Sequence, residues 1–138
     1  MPRRRRMGVV ALLLAASLSG CSLSPPPVPE PGELLCTWRA DGGAELELGI
    51  YGALEYRGIS WSSPSEGEGT WWLGDGVGFR SGDGYPIVTV IVGDARDVVS
   101  LTLLGSGADM SLVKRDRFDR LEGETYVKVC NEVCCEGT

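Results

Sequence analysis

Short segments in which apolar and polar residues alternate recur along most of the chain. In residues 44–48 the alternation is strict, so Leu46 and Leu48 are expected to face a core while the glutamates between them face water. Ile87–Val92 is almost entirely apolar and β-branched, which predicts a strand buried on both faces. Three further segments have the β-branched, aromatic or alternating content of strands. They are residues 69–73, 99–103 and 125–129.

Glycine-containing turns separate these segments at short intervals. They tolerate the positive φ angles that tight hairpins require, and they are Asp41-Gly42, Tyr51-Gly52, Asp75-Gly76, Asp83-Gly84 and Gly105-Ser106-Gly107. No segment has a sustained 3.6-residue apolar period, and residues 117–121 could form one helical turn. We therefore predict an all-β fold, a small antiparallel meander of about eight strands. Closure into an up-and-down barrel would remove its exposed edges, with residues 34–39 meeting residues 125–130.

The N-terminus has the pattern of a secretory signal. Four arginines, at positions 3–6, precede a short apolar run that is too short to span a bilayer. Leu18-Ser19-Gly20-Cys21 then resembles the lipobox of bacterial lipoproteins. The resemblance implies cleavage between Gly20 and Cys21 and a diacylglyceryl thioether, carrying palmitate-type chains, on Cys21. Two acyl chains suffice for stable anchoring.

This resemblance divides the chain into four parts. Residues 1–20 form the signal peptide, and residues 21–33 comprise the lipidated cysteine and a proline-rich linker, expected to be an extended spacer. Residues 34–130 form the barrel, and residues 131–138 a cysteine-rich tail. The expected location is the extracytoplasmic side of a cell membrane. With 11 Arg, 2 Lys and 20 Gly, the composition also resembles that of actinobacterial proteins.

The charge of the mature chain restricts its partners. Removing four arginines leaves nine basic residues against nineteen acidic ones, a formal charge of −10. Such a domain is repelled by nucleic acid and by anionic lipid headgroups. We therefore expect only the lipid anchor to contact the membrane, and we expect no nucleic-acid binding.

A second resemblance concerns the barrel itself. Cys36-Thr37-Trp38, the turn at Asp41-Gly42-Gly43 and the alternating strand that follows are similar to the opening of lipocalin-like barrels, in which a Trp of the first strand plugs one end. Gly69-Thr70-Trp71 repeats the Gly-x-Trp pattern. The layout also resembles small actinobacterial lipoproteins of unknown function. Since the domain is small for a lipocalin, its interior could be filled rather than hollow.

Four cysteines remain after Cys21 and are disulfide candidates in an oxidising compartment: Cys36, Cys130, Cys134 and Cys135. We expect a bridge from Cys36 into the tail and leave its partner open. Strand parity would place Val127 and Val129 inward and Cys130 outward. The alternative is a zinc site of four thiolates, but paired C-x-x-C motifs are absent, so no metal is predicted.

Nothing in the sequence forms a recognisable catalytic set or cofactor site. The chain has no histidine, which excludes Ser-His and Cys-His nucleophilic catalysis. Glu66 and Glu68 could in principle serve glycoside hydrolysis, but they are better explained as part of a solvated loop. Asp75 and Asp83 do not have the EF-hand spacing and are better explained as turn residues. We predict no enzyme, no cofactor and no catalytic residue.

Four tryptophans are the candidates for a binding surface: Trp38, Trp61, Trp71 and Trp72. Trp71 and Trp72 are adjacent, so on a strand they must face opposite sides, and one is outward. That one either marks a binding surface or lies under the loop that carries Trp61. A single basic cluster is interleaved with acids and is typical of a solvated turn. It consists of Lys114, Arg115, Arg117 and Arg120.

The sequence favours one function and leaves an alternative. The favoured function is a protein-interaction or inhibitor-type module of the cell envelope, whose acidic surface would suit a basic protein partner. The alternative is a lipocalin-like binder of a small apolar ligand, which requires a cavity of a few hundred cubic ångströms.

Overall fold

The computed structural model describes residues 26–117 and 119–129. The predicted signal peptide, Cys21, Cys130, Cys134 and Cys135 lie outside these residues. Eight strands are present: β1 (Thr37–Ala40), β2 (Glu45–Leu48), β3 (Ala53–Arg57), β4 (Gly67–Leu73), β5 (Ile87–Val92), β6 (Asp97–Leu104), β7 (Ser111–Arg115) and β8 (Gly123–Lys128). Three short 3₁₀ turns accompany them, at Pro31–Leu34, Ile50–Gly52 and Gly107–Asp109. In the described part of the chain, no helix is long and apolar enough to cross a membrane.

The strands form one closed antiparallel barrel. Each strand pairs with the next in the chain, and β8 pairs with β1 to close the cylinder. Trp38 lies opposite Leu46 on one side and opposite Lys128 on the other. The predicted all-β, up-and-down architecture is therefore confirmed, and so is the predicted pairing of the first and last strands.

The barrel interior is filled with side chains. Leu46, Leu48, Leu101 and Leu103 are buried as predicted, together with Trp38. The remaining large inward side chains with no more than 3% exposure come from all sides of the barrel. They are Leu54, Tyr56, Val88, Val90, Val92, Leu112 and Tyr126. Because protein interiors pack as densely as organic crystals, this set makes the centre of the barrel a core and not a channel.

Strand β5 is buried on both faces, as its composition predicts. Its inner residues fill the core, while Ile87 and Thr89 on the outer face are also buried. The long loop between β4 and β5 supplies this cover, because the Thr89 hydroxyl donates to the carbonyl of Gly74 at 2.6 Å. Gly69 of β4 allows a close approach here, since a Cβ at that position would lie 2.0 Å from the carbonyl oxygen of Ile91.

The predicted facing of β8 is wrong. Val127 points outward and is 54% exposed, whereas Tyr126 and Lys128 are buried inside the barrel. Alternation alone does not decide which of the two alternating sets of side chains in this strand points inward. In the structure the larger, amphipathic set occupies the interior. The stem of Lys128 is buried while its ammonium reaches the carbonyl of Gly107 at 3.3 Å, as expected for a side chain that is apolar along most of its length.

The end of the predicted linker is not a free extended spacer. Glu30 has polyproline-like angles, but Pro31–Leu34 turns into a 3₁₀ helix and Leu34 is fully buried. The indole of Trp38 donates to the carbonyl of Leu34 at 3.2 Å, which holds this turn under the barrel. Proline at the first helical position is compatible with such a turn, because its missing N–H has no helical partner there.

The candidate helical turn at residues 117–121 is a hydrogen-bonded turn between β7 and β8, in which Arg120 N–H donates to the carbonyl of Arg117 at 3.2 Å. The residues described there are exposed, and none of them belongs to a helix.

The two ends of the barrel are formed by different segments. The end at which the chain enters the barrel, here called the proximal end, carries residues 26–36, 49–52, 74–86 and 105–110. The opposite, distal end carries the connections at residues 41–44, 58–66, 93–96 and 116–122.

The pairing of β1 with β8 suggests a testable partner for Cys36, which the sequence left open. Cys36 is disulfide-bonded, and every other cysteine lies outside the described residues. Val129 N–H donates to the carbonyl of Thr37 at 2.8 Å, so the register of β1 and β8 continues past their ends. If the same register held for one more residue, positions 36 and 130 would be a non-hydrogen-bonded pair, the kind in which cross-strand side chains approach most closely.

We predict a Cys36–Cys130 disulfide. Cleavage of the oxidised chain after Lys128 and Glu132 separates residue 130 from the tail cysteines, so mass spectrometry will show which peptide is joined to Cys36. Cys36→Ala and Cys130→Ala should each lower the free energy of unfolding by about 4.7 kcal/mol, the chain-entropy value for a loop of about 95 residues. The double variant should lose no more than either single one. A Cys36 peptide joined to residues 133–138 would contradict the pairing.

Candidate functional site

An open apolar groove lies at the proximal end of the barrel, with a volume of about 790 Å³. Residues 28–32 form one wall and the turn at Ile50–Gly52 another. The remaining wall is formed by the end of β4, with Trp72 and Leu73, and by Phe79 of the following loop. We call this feature the proximal groove. Its walls come from four separate segments of the chain, which the folded barrel brings together.

The two adjacent tryptophans of β4 serve the groove in different ways. Trp71 points inward, is 6% exposed, and donates its indole N–H to the carbonyl of Gly49 at 2.8 Å. This bond fixes the turn that carries Ile50 and Tyr51. Trp72 points outward, is half-buried and lines the groove. The prediction that the two face opposite sides of their strand is confirmed.

The wall that carries Phe79 is held by a short-range network. Both Val77 and Gly78 donate their N–H groups to Asp75 Oδ1 at 2.8 Å. These hydrogen bonds, that from Gly78 first, lower the pKa of Asp75 below its usual value. Gly74 has a φ of +93°, and a Cβ there would lie 2.6 Å from the carbonyl of Gly78. Asp75 is thus a turn residue that shapes the loop, in agreement with the sequence interpretation.

The wall formed by residues 28–32 is held by hydrogen bonds to the loop between β4 and β5 and within its own turn. The Arg80 guanidinium donates to the carbonyls of Pro26 and Gly84. Glu30 N–H donates to the Glu33 carboxylate at 2.8 Å, which closes the 3₁₀ turn on itself. Residues 26–34 therefore form part of the folded domain, and their prolines supply the rigid rim of the groove.

Trp38 and Lys128 lie inside the barrel near the same end. Trp38 is fully buried and offers no surface to a ligand. The Lys128 ammonium lies 5.9 Å from the centroid of the Trp38 ring, a cation–π distance. Burial lowers the pKa of Lys128, and the carboxylate of Glu33 opposes that shift.

Trp61 belongs to a cluster at the distal end. Its indole N–H is shared between Glu124 Oε1 at 3.1 Å and the Tyr126 hydroxyl at 3.3 Å. The Tyr126 hydroxyl donates to Glu124, and the Lys114 ammonium lies 5.7 Å from the Trp61 ring centroid. Burial and the nearby Glu124 carboxylate raise the pKa of Tyr126. Trp61 thus closes the distal end rather than covering Trp72.

The predicted basic cluster is dispersed by the fold. Lys114 lies over Trp61, while Arg115 on the outer face bonds to Thr102 and to Asp83 at 2.7 Å. The pKa of Asp83 is lowered, first by the Ser81 hydroxyl and then by Arg115. Arg117 pairs with Asp119 at 3.4 Å in an exposed turn, and such surface pairs contribute little to stability.

The two glutamates considered for catalysis are exposed at the start of β4. Glu68 lies opposite Glu55 of β3, and Glu66 lies in the preceding connection. Within residues 26–117 and 119–129, no group of three or more metal-ligating side chains is assembled.

The groove residues outside the tryptophans were not singled out from the sequence. Ile50 and Phe79 are large apolar residues in segments whose sequence predicts turns and loops, and both are more than half exposed. That mismatch between side chain and segment is the signal that could have identified them, because exposed apolar clusters mark binding surfaces.

Comparison with protein-family models, curated proteins and solved structures found no match to this chain. The class of protein is therefore defined by its architecture alone. It is an eight-stranded antiparallel up-and-down barrel, as in lipocalin-like proteins, with a filled interior and an open apolar groove at its proximal end.

We predict that Asp75 controls the order of the groove wall. Asp75→Ala removes the acceptor for the amides of Val77 and Gly78, so their hydrogen exchange should accelerate. Asp75→Asn keeps a side-chain oxygen at the same place and should preserve most of their protection. NMR hydrogen exchange at single residues measures both effects.

The same variants test how the hydrogen-exchange protection of this loop depends on pH. Since the folded pKa of Asp75 is lowered, its stabilising effect is complete above the ordinary pKa of 3.8 and is lost as the pH falls through the folded value. The parent protein should lose loop protection in that acidic range, and Asp75→Asn should not follow it. Equal acid sensitivity of the two would show that Asp75 is not responsible.

Proposed function

We propose that this chain is a lipid-anchored, extracytoplasmic, non-enzymatic barrel that binds a small apolar ligand in its proximal groove. The observation that carries the proposal is the groove itself. Its volume of about 790 Å³ lies within the range of about 300–1,000 Å³ typical of small-molecule sites. Its walls are dominated by proline, aromatic and aliphatic side chains, whose burial by a ligand would be the main driving force.

The groove replaces the barrel mouth as the proposed ligand site. A lipocalin-like binder would hold its ligand inside the barrel, but here Trp38 and Tyr126 fill that space. The filled core instead provides rigid support for the groove, since Trp71 is packed inside and bonds to the turn beside it. A rigid, largely preformed site avoids part of the ordering cost of binding.

The charge around the groove limits the ligand class. Glu30 is an exposed acid on its rim, and Asp75 lies at the base of the loop that carries Phe79. Both would repel a carboxylate or phosphate group that approached the opening. We therefore propose a neutral, elongated apolar ligand.

The lipid-anchor part of the proposal rests on the sequence. The lipobox-like segment ending at Cys21 and the preceding basic and apolar stretches support it, and these residues lie outside the described structure. The envelope location follows from the same resemblance.

The protein-interaction function favoured by the sequence stays a prediction. Its support is the formal charge of −10 that follows from signal cleavage. The dispersal of Lys114, Arg115 and Arg117 leaves the apolar groove as the better-defined surface, which is why we place ligand binding first.

We predict saturable binding of a neutral apolar fluorophore, N-phenyl-1-naphthylamine, to the full mature chain. Phe79→Ser removes an apolar contact at the groove and should weaken binding roughly tenfold, which corresponds to about 1.4 kcal/mol. Val98→Ser is the matched control, because Val98 is similarly exposed but lies on the barrel wall. Fluorescence titration measures both dissociation constants.

Two results would argue against the groove as the site. One is linear, unsaturable binding of the fluorophore by the parent protein. The other is equal weakening by Phe79→Ser and Val98→Ser, with unfolding curves unchanged, because general surface apolarity would then explain the signal.

We predict that the mature chain begins at Cys21 and carries a diacylglyceryl group. Mass spectrometry of the protein from a lipidating bacterial host should show that addition on the N-terminal peptide. Cys21→Ser should move the protein from the membrane fraction to the soluble fraction. A Cys21→Ser variant that stays membrane-bound would refute the anchor.

A further inference from the structure

The tether between the proposed anchor and the described domain is short. Residues 26–34 contact the barrel through Pro26, Leu34 and the groove, so they do not act as a spacer. Four residues, 22–25, separate Cys21 from Pro26. Even when fully extended, this stretch spans at most about 18 Å. An anchored Cys21 would therefore keep the proximal end of the barrel close to the bilayer.

The same end presents the most prominent exposed apolar side chains of the described residues. Tyr51 is fully exposed, Val77 is 98% exposed, Ile50 63% and Phe79 59%. Ile50, Tyr51 and Phe79 belong to the groove, and Val77 is in the loop that carries Phe79. The Trp71–Gly49 bond and the Asp75 network hold both loops in place. These side chains therefore form one preorganised apolar patch, here called the proximal patch.

The distal end has the opposite character. Its connections are rich in glycine, serine and charged residues, and Leu121, at 39% exposure, is the large apolar side chain exposed there among the described residues. Val98, the second residue of β6, is exposed on the barrel wall near the distal end, and Val127 is exposed on the wall near the proximal end. The exposed apolar patch and the attachment point of the tether therefore lie at the same end of the molecule, the proximal end.

We infer that the proximal patch rests on the phospholipid bilayer to which the chain is anchored. Ile50, Tyr51, Val77 and Phe79 enter the headgroup region, and the proximal groove opens towards the acyl chains. Aromatic and aliphatic side chains favour this interface, where apolar faces are buried about 5–10 Å deep. This inference rests on the proposed anchor, because the short tether supplies the proximity.

The surrounding charges indicate which bilayer surface is compatible. Glu30 lines the groove, Glu33 and Asp75 belong to the segments that form its walls, and Arg80 is engaged with the carbonyls of Pro26 and Gly84. An anionic surface would repel these acids, whereas a zwitterionic phosphatidylcholine surface would not. Contact is therefore driven by apolar burial and by the tether, with electrostatic attraction playing no part.

The experiment uses the full chain, lipidated in a bacterial host and reconstituted into phosphatidylcholine vesicles. An environment-sensitive fluorophore is attached at Tyr51→Cys or Val77→Cys. Matched controls carry it at Val98→Cys on the wall or Asp41→Cys at the distal end. The parent, taken through the same labelling, gives the background from native cysteines. Lipids with a quencher near the headgroup report contact, and unfolding curves verify that each variant is folded.

Severalfold stronger quenching at positions 51 and 77 than at 98 and 41 is the expected result. Uniformly weak quenching of a protein that sediments with vesicles and carries the diacylglyceryl mass would overturn the bilayer contact and leave the anchor intact. Absence of that mass, with the protein free in solution, would overturn both. If soluble Cys21→Ser protein has the mass of a dimer and its fluorophore at position 51 is shielded from water, a second copy of the chain covers the patch instead of the bilayer.

Discussion

The pairing of β1 with β8 is the constraint on which the rest of the molecule depends. It closes the barrel, so every strand has two neighbours and no edge is left open to another chain. It places Trp38 opposite Lys128 in the interior, where the indole holds the carbonyl of Leu34. That bond holds the segment before β1 at the proximal end, where residues 28–32 and the turn at Ile50–Gly52 line the same groove. The groove therefore lies where this segment meets the closed cylinder.

Alternate side chains of a strand point to opposite faces of the sheet, so a single strand can contribute to both the packed core and the exposed groove. Trp71 and Trp72 are neighbours in β4, yet one fills the interior and fixes a turn while the other lines the groove. The buried partner gives the outer one a rigid support. A binding surface on a small barrel needs such support, because its volume is too small for both a complete core and an internal cavity.

The strands could be predicted because alternation, β-branched content and glycine turns all act locally. The closed barrel followed from the cost of open edges, without any long-range information. Which side chains of β8 point into the barrel could not be predicted from the sequence. The two alternating sets, Tyr126 with Lys128 and Val127 with Val129, are both compatible with a core. The docking of Pro31–Leu34 and the position of Phe79 depend on contacts between distant segments, and no local pattern encodes them. The groove was missed for the same reason.

Two buried ionisable groups with shifted pKa values lie inside the barrel and away from the groove. Tyr126 and Lys128 both face inward from β8, and burial is the first cause of each pKa shift. Each polar atom has a partner inside the fold, Glu124 for the tyrosine hydroxyl and the Gly107 carbonyl for the ammonium. Perturbed pKa values often mark catalytic sites, but a buried structural network produces them equally well. Neither group lines the groove, so their pKa shifts reflect burial in the core of the barrel and do not bear on the proposed ligand site.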